Sequence, residues 1–430
     1  MPRRSLVPLV MLLALVALPA PAAQAKGLRL SDVAGLPANA ARDLAVGPSR
    51  EVWMTSDAVG SFVARISAKG KLLSVVPVPG TPDSITRGPD GAMWFTLRDG
   101  NAVGRVTRAG AVTMFPVPVA AAAPRGIAAG ADGALWVTLF GADAVARLTT
   151  AGEWTVFTSG LTPGGEQLGI TRGPGGIWFT EPRGDRIVKI TPSGAVTAFP
   201  VSNVSGPEDI AVGIDGNLWF TEDDGDRIGR ITPSGALREF QSGITPGATP
   251  FNIASGPDEA MWFTEADGDR IGRSTPDGFI TEYGIPKRSR PRAIITGPDG
   301  RLWVALADAG RVVRFTAPLA PVVPASITSL FSGTGTVGQL LVEGIPAGGR
   351  VEVLCRGRGC PLRHYVKRRA RRVNLRPRIR RVGAGSRLQI RVAAPGYATK
   401  VRVFTVSSRG LQVAKRCIAP GTNKLRKGCG

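Results

Sequence analysis

Tryptophan recurs seven times along the chain at a nearly constant interval, and this regularity limits the possible folds more than any other feature. Successive members are 41 to 43 residues apart. A self-similar period near 40 residues is typical of propellers and solenoids, in which each unit buries its apolar face against its neighbours. The repeating residues are Trp53, Trp94, Trp136, Trp178, Trp219, Trp262 and Trp303.

Each unit contains four short segments in which apolar and polar residues alternate. In the fifth unit these segments are 207–212, 217–222, 226–231 and 236–240, and Gly, Pro and Asp separate them. Alternation with a period of two is typical of strands, and the Asp-Gly turns are strong hairpin signals. No helical spacing of apolar residues accompanies the repeat. We therefore predict an all-β seven-bladed β-propeller over residues 27–316.

The seventh unit lacks its fourth segment. After 311–315 the chain enters a Pro-rich stretch, 317–325, which we interpret as a linker. Residues 28–33 precede the first complete unit as a fourth strand would, so we expect this N-terminal strand to complete the seventh blade. Such closure leaves only short, protected sheet edges. The repeated tryptophans are then expected to fill the core between blades rather than to stack on a ligand.

The first 25 residues have the three parts of an export signal. Arg3 and Arg4 form a positive n-region, residues 6–18 are apolar, and the Ala-Gln-Ala sequence at 23–25 fits a cleavage site. Two arginines alone are weak evidence for twin-arginine export, so we favour the general secretory route. We predict a signal peptide at 1–25, cleavage near Ala25, and a protein that is secreted or associated with the cell envelope.

Positive charge is concentrated at the C-terminal end of the chain. Residues 317–430 hold 23 Lys and Arg against two acidic residues, whereas residues 26–316 hold 29 basic and 30 acidic residues. The net charge of +22 is therefore a property of the C-terminal part. Such asymmetry suggests an anionic partner for that part, although a genome that is biased toward Arg would give the same composition.

The C-terminal part, 326–430, has alternating segments without the Trp period, at 339–342, 350–354, 388–392 and 401–404. This pattern predicts a small β-sandwich-like domain. We also predict that this domain contains disulfides, because an even number of cysteines in an exported protein implies disulfides. The four cysteines of the chain all lie here: Cys355, Cys360, Cys417 and Cys429.

Three pairings of these cysteines are possible. We favour Cys355–Cys360 and Cys417–Cys429, because each closes a short loop. Zinc is the alternative, but the spacings fit zinc fingers poorly and His364 would be the sole imidazole ligand.

Two dense basic runs, 367–372 and 376–381, lie in this domain. Export and the scarcity of aromatic residues that could stack on bases argue against nucleic acid. An anionic envelope polymer or a membrane surface is the partner that we expect. A solvated loop that merely connects strands is the alternative. Nothing in the sequence requires an oligomer, and we expect a monomer.

The phrases at 218–222 (LWFTE) and 226–232 (DRIGRIT) resemble the virginiamycin B lyases, a family of seven-bladed propellers that inactivate streptogramins. The resemblance covers residues 27–316. It implies opening of a cyclic depsipeptide ester by elimination, with a His that removes the proton alpha to the carbonyl and a Mg²⁺ held by carboxylates. The segment 354–361 resembles the cysteine-bearing basic modules at the ends of secreted actinobacterial proteins, which implies no function.

Two positions of the repeat are predicted to meet on one axial face of the propeller. The first starts each innermost strand, and its members are Arg42, Asp83, Arg125, Leu168, Glu208, Phe251 and Arg292. The second lies three residues after each repeated Trp, and its members are Ser56, Leu97, Leu139, Glu181, Glu222, Glu265 and Leu306.

The polar members of these two sets are our candidate site residues. Arg offers a fork of donors that suits a carboxylate or phosphate, so a small polar ligand or a protein could bind this face. Mutual ion pairing around a water-filled channel is the alternative. The ligand-binding candidates are Arg42, Asp83, Arg125, Glu208 and Arg292, and the weaker metal candidates are Glu181, Glu222 and Glu265.

The family's catalytic residues have no match at the corresponding positions. Its Pro-His-x-Ile phrases here contain Phe251 and Arg292, and its two carboxylates are matched by Arg290 and Leu306. Arg cannot act as a base near neutral pH. We therefore expect a propeller without the family's His-dependent chemistry, without a cofactor, that acts as a binding module at the envelope.

The alternative is a carbon–oxygen lyase that opens a cyclic depsipeptide ester with Mg²⁺ and a substituted base, for which Glu208 or Glu222 is best placed. The Asp-Arg pairs at 185/186, 226/227 and 269/270 have the wrong period for a calcium loop. We interpret them as turns with surface ion pairing.

Overall fold

The structure is a computed structural model. It describes residues 28–37, 41–57, 60–317, 325–332, 335–345, 349–368, 370–394, 399–407, 410–418 and 425–426. The predicted signal peptide lies outside these ranges. In the described part of the chain no helix is both long and apolar enough to cross a bilayer. The all-β prediction is confirmed, since in the described ranges only two single-turn 3₁₀ helices, Phe140–Ala142 and Pro182–Gly184, interrupt the strands.

Seven four-stranded antiparallel sheets form the blades of the propeller. We number the blades in chain order and give the strands of each from the axis outward. Blade 1 has Ala41–Val46, Val52–Ser56, Phe62–Ile66 and Leu72–Pro77; blade 2 has Pro82–Arg87, Met93–Leu97, Ala102–Val106 and Val112–Pro116; blade 3 has Pro124–Ala129, Leu135–Leu139, Ala144–Leu148 and Trp154–Phe157; blade 4 has Ile170–Gly173, Gly176–Glu181, Arg186–Ile190 and Val196–Pro200.

The remaining three blades follow the same order. Blade 5 has Pro207–Val212, Leu218–Glu222, Arg227–Ile231 and Leu237–Phe240; blade 6 has Pro250–Ser255, Met261–Glu265, Arg270–Ser274 and Ile280–Gly284; blade 7 has Pro291–Thr296, Leu302–Leu306, Arg311–Phe315 and, as its outer strand, Ser31–Asp32.

The repeated tryptophans fill the core between blades, as predicted. All seven side chains are almost completely buried. Trp219, for example, stacks on Phe240 of its own blade and donates its indole N–H to Asp215 at 3.1 Å. The glycine before each turn makes room for the ring: a Cβ on Gly88 would lie 2.3 Å from Trp94. The regular spacing of the tryptophans therefore reflects one buried indole ring in each blade.

The ring closes through the N-terminal strand, which confirms the predicted closure. Ser31 and Asp32 pair with Arg314 and Val313, and the N–H of Val33 donates to the carbonyl of Val312 at 2.9 Å. The strand is shorter than the predicted 28–33. Leu28 and Leu30 instead pack as partly buried side chains on the cluster that blades 6 and 7 share.

The C-terminal unit is a two-sheet sandwich. One sheet holds Ser326–Ser332, Thr336–Glu343 and Arg372–Asn374. The other holds, in spatial order, His364–Arg368, Arg350–Arg356, Ser386–Ala393, Thr399–Ser407, Gly410–Ile418 and Leu425–Arg426. Their shared core includes Ile327 and Val342 from the first sheet and Val353, Ile390 and Phe404 from the second.

The Cys355–Cys360 disulfide is present, with a Cα–Cα distance of 5.7 Å. These two sulfurs are bonded to each other, so they cannot act as zinc thiolates. Cys417 is also disulfide-bonded. Cys429 lies outside the described residues, so the Cys417–Cys429 pairing stays a prediction.

Candidate functional site

A cavity of about 440 Å³ lies on the propeller axis, lined by the innermost strands of the blades. The structure places all five predicted ligand-binding residues in this lining. They occupy one level of the cavity, because each is the second residue of the innermost strand of its blade. These residues are Arg42, Asp83, Arg125, Glu208 and Arg292, with Leu168 and Phe251 at the remaining two positions.

A threonine two residues after the repeated Trp holds six of the seven axial residues in place. In blade 4 the hydroxyl of Thr180 donates to the carbonyl of Glu208 in blade 5 at 2.9 Å and accepts the N–H of Gly169 at 2.9 Å. Six blades make this link to the next blade, and blade 7 has Ala305 instead. The sequence pattern did not lead us to predict this role of threonine. The six residues are Thr55, Thr96, Thr138, Thr180, Thr221 and Thr264.

A second ring of polar side chains lies one residue further along the innermost strands, also in the cavity lining. The carboxylate of Asp43 accepts the N–H of Ile85 at 2.9 Å, and that of Asp209 accepts the N–H of Ile253 at 3.0 Å. Burial raises the pKa of Asp43 to about 6 and that of Asp209 to about 7. These carboxyls are therefore structural acceptors between blades.

Ion pairing in the axial ring is incomplete. Arg125 Nη1 lies 3.1 Å from Asp83 Oδ2, and Arg42 pairs with Asp57 outside the ring. Arg292 makes no ion pair with any described residue. Its guanidinium lies over the ring of Phe251, 4.7 Å from the centroid. Burial, together with the nearby charges of Arg42 and Arg290, lowers the pKa of Arg292, yet an Arg side chain keeps its charge in proteins.

Glu208 faces the same cavity and is mainly protonated at neutral pH. Burial is the largest cause, the carboxyls of Asp223 and Asp209 add to it, and Arg125 and Arg292 oppose it. The pKa of Glu208 is raised to about 8 as a result. A neutral Glu208 leaves positive charge at the ring uncompensated and offers an O–H donor to a bound anion.

The three metal candidates are not brought together at the cavity. Glu181, Glu222 and Glu265 are fully buried at the ends of second strands in three different blades, and none of them lines the cavity. Glu181 pairs with Arg186, and Glu222 pairs with Arg227 at 2.9 Å. Strand position alone predicted that these side chains share the axial face. Glu181 and Glu222 instead bond to groups beside their own blades.

Glu265 departs from this arrangement. Among the described residues neither of its oxygens has a hydrogen-bond donor, and Arg270, which lies opposite Glu265 in the ladder, places its Nε 3.7 Å from Glu282 Oε2 instead. Burial and the neighbouring Glu282 raise the pKa of Glu265 to about 9. The side chain is therefore an uncharged carboxylic acid in the interior at neutral pH.

The Asp-Arg sequences form turns, but their two members do not pair with each other. Asp269 adopts a left-handed conformation with φ of 47°, and its carboxylate accepts the N–H groups of Ser289 and Arg290 at 2.8 and 3.0 Å. Asp185 and Asp226 bind the entry loops of blades 5 and 6 in the same way. The predicted surface ion pairing within each sequence is wrong, because each Asp caps the next blade.

The residues that match the family's catalytic positions lie in three different surroundings. Phe251 and Arg292 stack in the cavity, Leu306 is buried in the apolar core between blades 6 and 7, and Arg290 lies outside the cavity lining. Across the described residues no group of three or more His, Cys, Asp or Glu could hold a metal. The only His of the chain, His364, lies in the C-terminal unit, 3.0 Å from Glu352. The cavity thus does not fit a Mg²⁺ held by carboxylates.

Comparison with known proteins connects this geometry to a family. The model of the virginiamycin B lyase family matches residues 34–161 and 161–320. Virginiamycin B lyase of Bordetella bronchiseptica is 58% identical over 36 residues, or 8% of this chain, and that of Bordetella pertussis is 56% identical over 36 residues. The chain matches these curated relatives over about 12% of their length.

Solved structures extend the similarity to the whole propeller. A streptogramin B lyase structure has a TM-score of 0.63 at 29% identity and covers 67% of this chain and 97% of its own. Virginiamycin B lyase from Staphylococcus aureus has a TM-score of 0.63 at 31% identity and covers 68% of this chain and 99% of its own. The WD40 propeller of Doa1, at 13% identity and a TM-score of 0.55, shares the fold alone. This chain therefore belongs to the virginiamycin B lyase family.

Proposed function

We propose that this propeller binds a small anionic ligand in its axial cavity and does not perform the lyase reaction of its family. One observation carries the proposal: Arg292 presents a guanidinium to the cavity, stacks on Phe251 and has no ion-pair partner among the described residues. In the active family this position holds the catalytic base. A half-buried cation without a counter-charge favours a ligand that supplies one.

The surroundings of Arg292 suit a carboxylate or phosphate. Arg125 lines the same ring and keeps donors beyond its single contact with Asp83. Glu208 is protonated near neutral pH and adds an O–H donor. Phe251 gives the bound group an apolar neighbour. Charge-assisted hydrogen bonds to a planar guanidinium are among the strongest that proteins make.

Isothermal titration of the full chain with citrate and with inorganic phosphate tests this function. Arg292→Ala is expected to weaken citrate binding at least about 10-fold, because removal of a charge-assisted hydrogen bond costs roughly 1.5–3 kcal/mol. Arg290→Ala is the matched control, since Arg290 lies two residues away, is exposed and does not line the cavity. Equal affinities of wild type and Arg292→Ala would overturn the proposal, as would a failure of the wild type to bind either probe.

A lyase with a substituted base is the second candidate, and Glu208 favours it. A carboxyl in the cavity with a pKa of about 8 could exchange a proton near neutral pH. Glu222, the other candidate base, has a pKa raised to about 7 by burial, but it is bonded to Ser205 and Arg227 and does not line the cavity. The misfit of the cavity to a metal makes this candidate the weaker one.

The C-terminal unit is proposed to hold the secreted protein at the cell envelope. Its charge of +21 over residues 317–430 suits an anionic polymer or membrane surface. Lys367 and Arg368, in the strand His364–Arg368, contribute to this charge and are exposed. Export through the signal at 1–25 belongs to the same proposal.

A further inference from the structure

One face of the six-stranded sheet in the C-terminal unit is only half covered. Phe404 and Val406 are buried against the three-stranded sheet, with Leu411 partly buried beside them. Further along the same face of the strands Thr399–Ser407 and Gly410–Ile418, the side chains become basic. The basic positions are Lys400, Arg402 and Lys415.

The strand register brings these three cations together. Arg402 lies directly opposite Lys415 across the antiparallel pair, where Cβ atoms are about 4.5–5.5 Å apart. Lys400 lies two residues along the same strand, hence on the same face at about 7 Å. Its ammonium donates to the carbonyl of Ala325 at 2.6 Å. Burial, with repulsion from Arg402 and Lys415, lowers the pKa of Lys400.

No carboxylate side chain of the unit compensates this cluster. Residues 317–430 contain only Glu343 and Glu352. Glu343 pairs with Arg372 at 3.0 Å, and Glu352 lies 3.0 Å from His364 and 3.5 Å from Arg391. Like charges directly opposite each other destabilise a sheet. Arg402 and Lys400 are also half-buried, which limits their screening by water.

We propose that Lys400, Arg402 and Lys415 form a binding site for a phosphate group. This site rests on the proposed envelope-anchoring function and names the group that is recognised. The Arg fork and two ammonium groups match the oxygens of a phosphate, and the charge of the ligand replaces the missing carboxylate. Phosphodiesters of an envelope polymer and phospholipid headgroups share this chemistry.

The experiment measures binding of the full chain to long-chain polyphosphate and to phosphatidylglycerol vesicles at about 50 mM and 200 mM salt. The site variant is Arg402→Gln with Lys415→Gln. The control is Arg356→Gln with Arg387→Gln, which removes the same charge from another directly opposed and exposed pair of the same sheet. We expect the site variant to lose at least about 10-fold in affinity and the control less than about 3-fold.

A charge-preserving variant, Arg402→Lys with Lys415→Arg, is expected to bind within about 3-fold of wild type, which separates loss of the site from loss of folding. Binding to polyphosphate alone identifies a polymer phosphate, binding to vesicles alone identifies a headgroup, and either result supports the site. Equal losses in the site variant and the control would overturn it, because charge alone would then account for binding. A wild type that binds neither probe would overturn the anchoring function itself.

Discussion

Replacing Val33 with aspartate is expected to destabilise the propeller by at least about 3 kcal/mol and to open the ring at blade 7. Val33 is 7% exposed and packs in the cluster that contains Trp303 and Val312. Loss of its burial accounts for roughly 1.5–3 kcal/mol, and a carboxylate at this site adds a desolvation cost. The same residue anchors the short strand Ser31–Asp32, through which the first and last parts of the propeller are joined.

Tryptophan fluorescence during urea unfolding measures this effect without interference from the C-terminal unit, because all eight tryptophans lie between residues 53 and 303. Hydrogen exchange should also become faster in Arg311–Phe315, the strand that would lose its outer neighbour. Ser31→Asp is the control. Ser31 is exposed in the same strand, so its substitution is expected to change stability by less than about 0.5 kcal/mol. A Val33→Asp protein as stable as the control would contradict closure by this strand.

Replacing Glu265 with glutamine is expected to stabilise the propeller at pH 8.5 by roughly 4 kcal/mol relative to its effect at pH 5. The folded state holds the proton up to a pKa of about 9, whereas an unfolded Glu titrates near 4.5. Between these values the unfolded state binds fewer protons, so the stability of the wild type falls as pH rises. Gln has no titrating proton, so the substitution removes this dependence of stability on pH.

The equivalent position in blade 4 provides a control of opposite sign. Glu181 accepts hydrogen bonds from Thr162, Gln167 and Arg186. Glu181→Gln breaks a buried ion pair and is expected to destabilise at both pH values. The comparison uses urea unfolding followed by Trp fluorescence at pH 5, 7 and 8.5. If Glu265→Gln and Glu181→Gln both destabilise at pH 8.5, Glu265 is an ionised, paired carboxylate and the account of its burial is wrong.

The sequence predicted the ring because packing in a propeller repeats with the chain. Each blade buries one Trp in the same position, so the number of repeated tryptophans equals the number of blades. The start of each innermost strand can then be located from its distance to the Trp. This placed Arg42, Arg125 and Arg292 at the cavity. The resemblance to the family then identified Phe251, Arg290, Arg292 and Leu306 at the positions of its catalytic residues. The placement at the cavity depends on strand position alone.

Inferences that depend on side-chain direction and partner choice were less successful. Glu222 ends a strand beside the axis, yet it turns away from the cavity to bond Ser205 and Arg227. Asp269 caps the next blade instead of pairing with Arg270. The hydrogen bonds from threonine to the next blade were not predicted, although Thr recurs two residues after six of the seven tryptophans. That recurrence, and its break at Ala305, was the available signal.

We propose that the axial cavity of this family member binds a ligand and does not carry out the elimination reaction. A catalytically inactive histidine-to-alanine variant of the Staphylococcus aureus enzyme has been solved with quinupristin, which makes that compound the appropriate substrate. Elimination moves one proton and breaks one ester C–O bond within the ring, so the linear product has the same mass and a different chromatographic retention. The decisive measurement is liquid chromatography with mass spectrometry after incubation of the wild-type chain with quinupristin, with and without Mg²⁺. The account predicts that cyclic quinupristin is recovered unchanged under both conditions. Formation of the linear isomer that is lost in a Glu208→Gln variant would contradict it and establish a lyase with a substituted base.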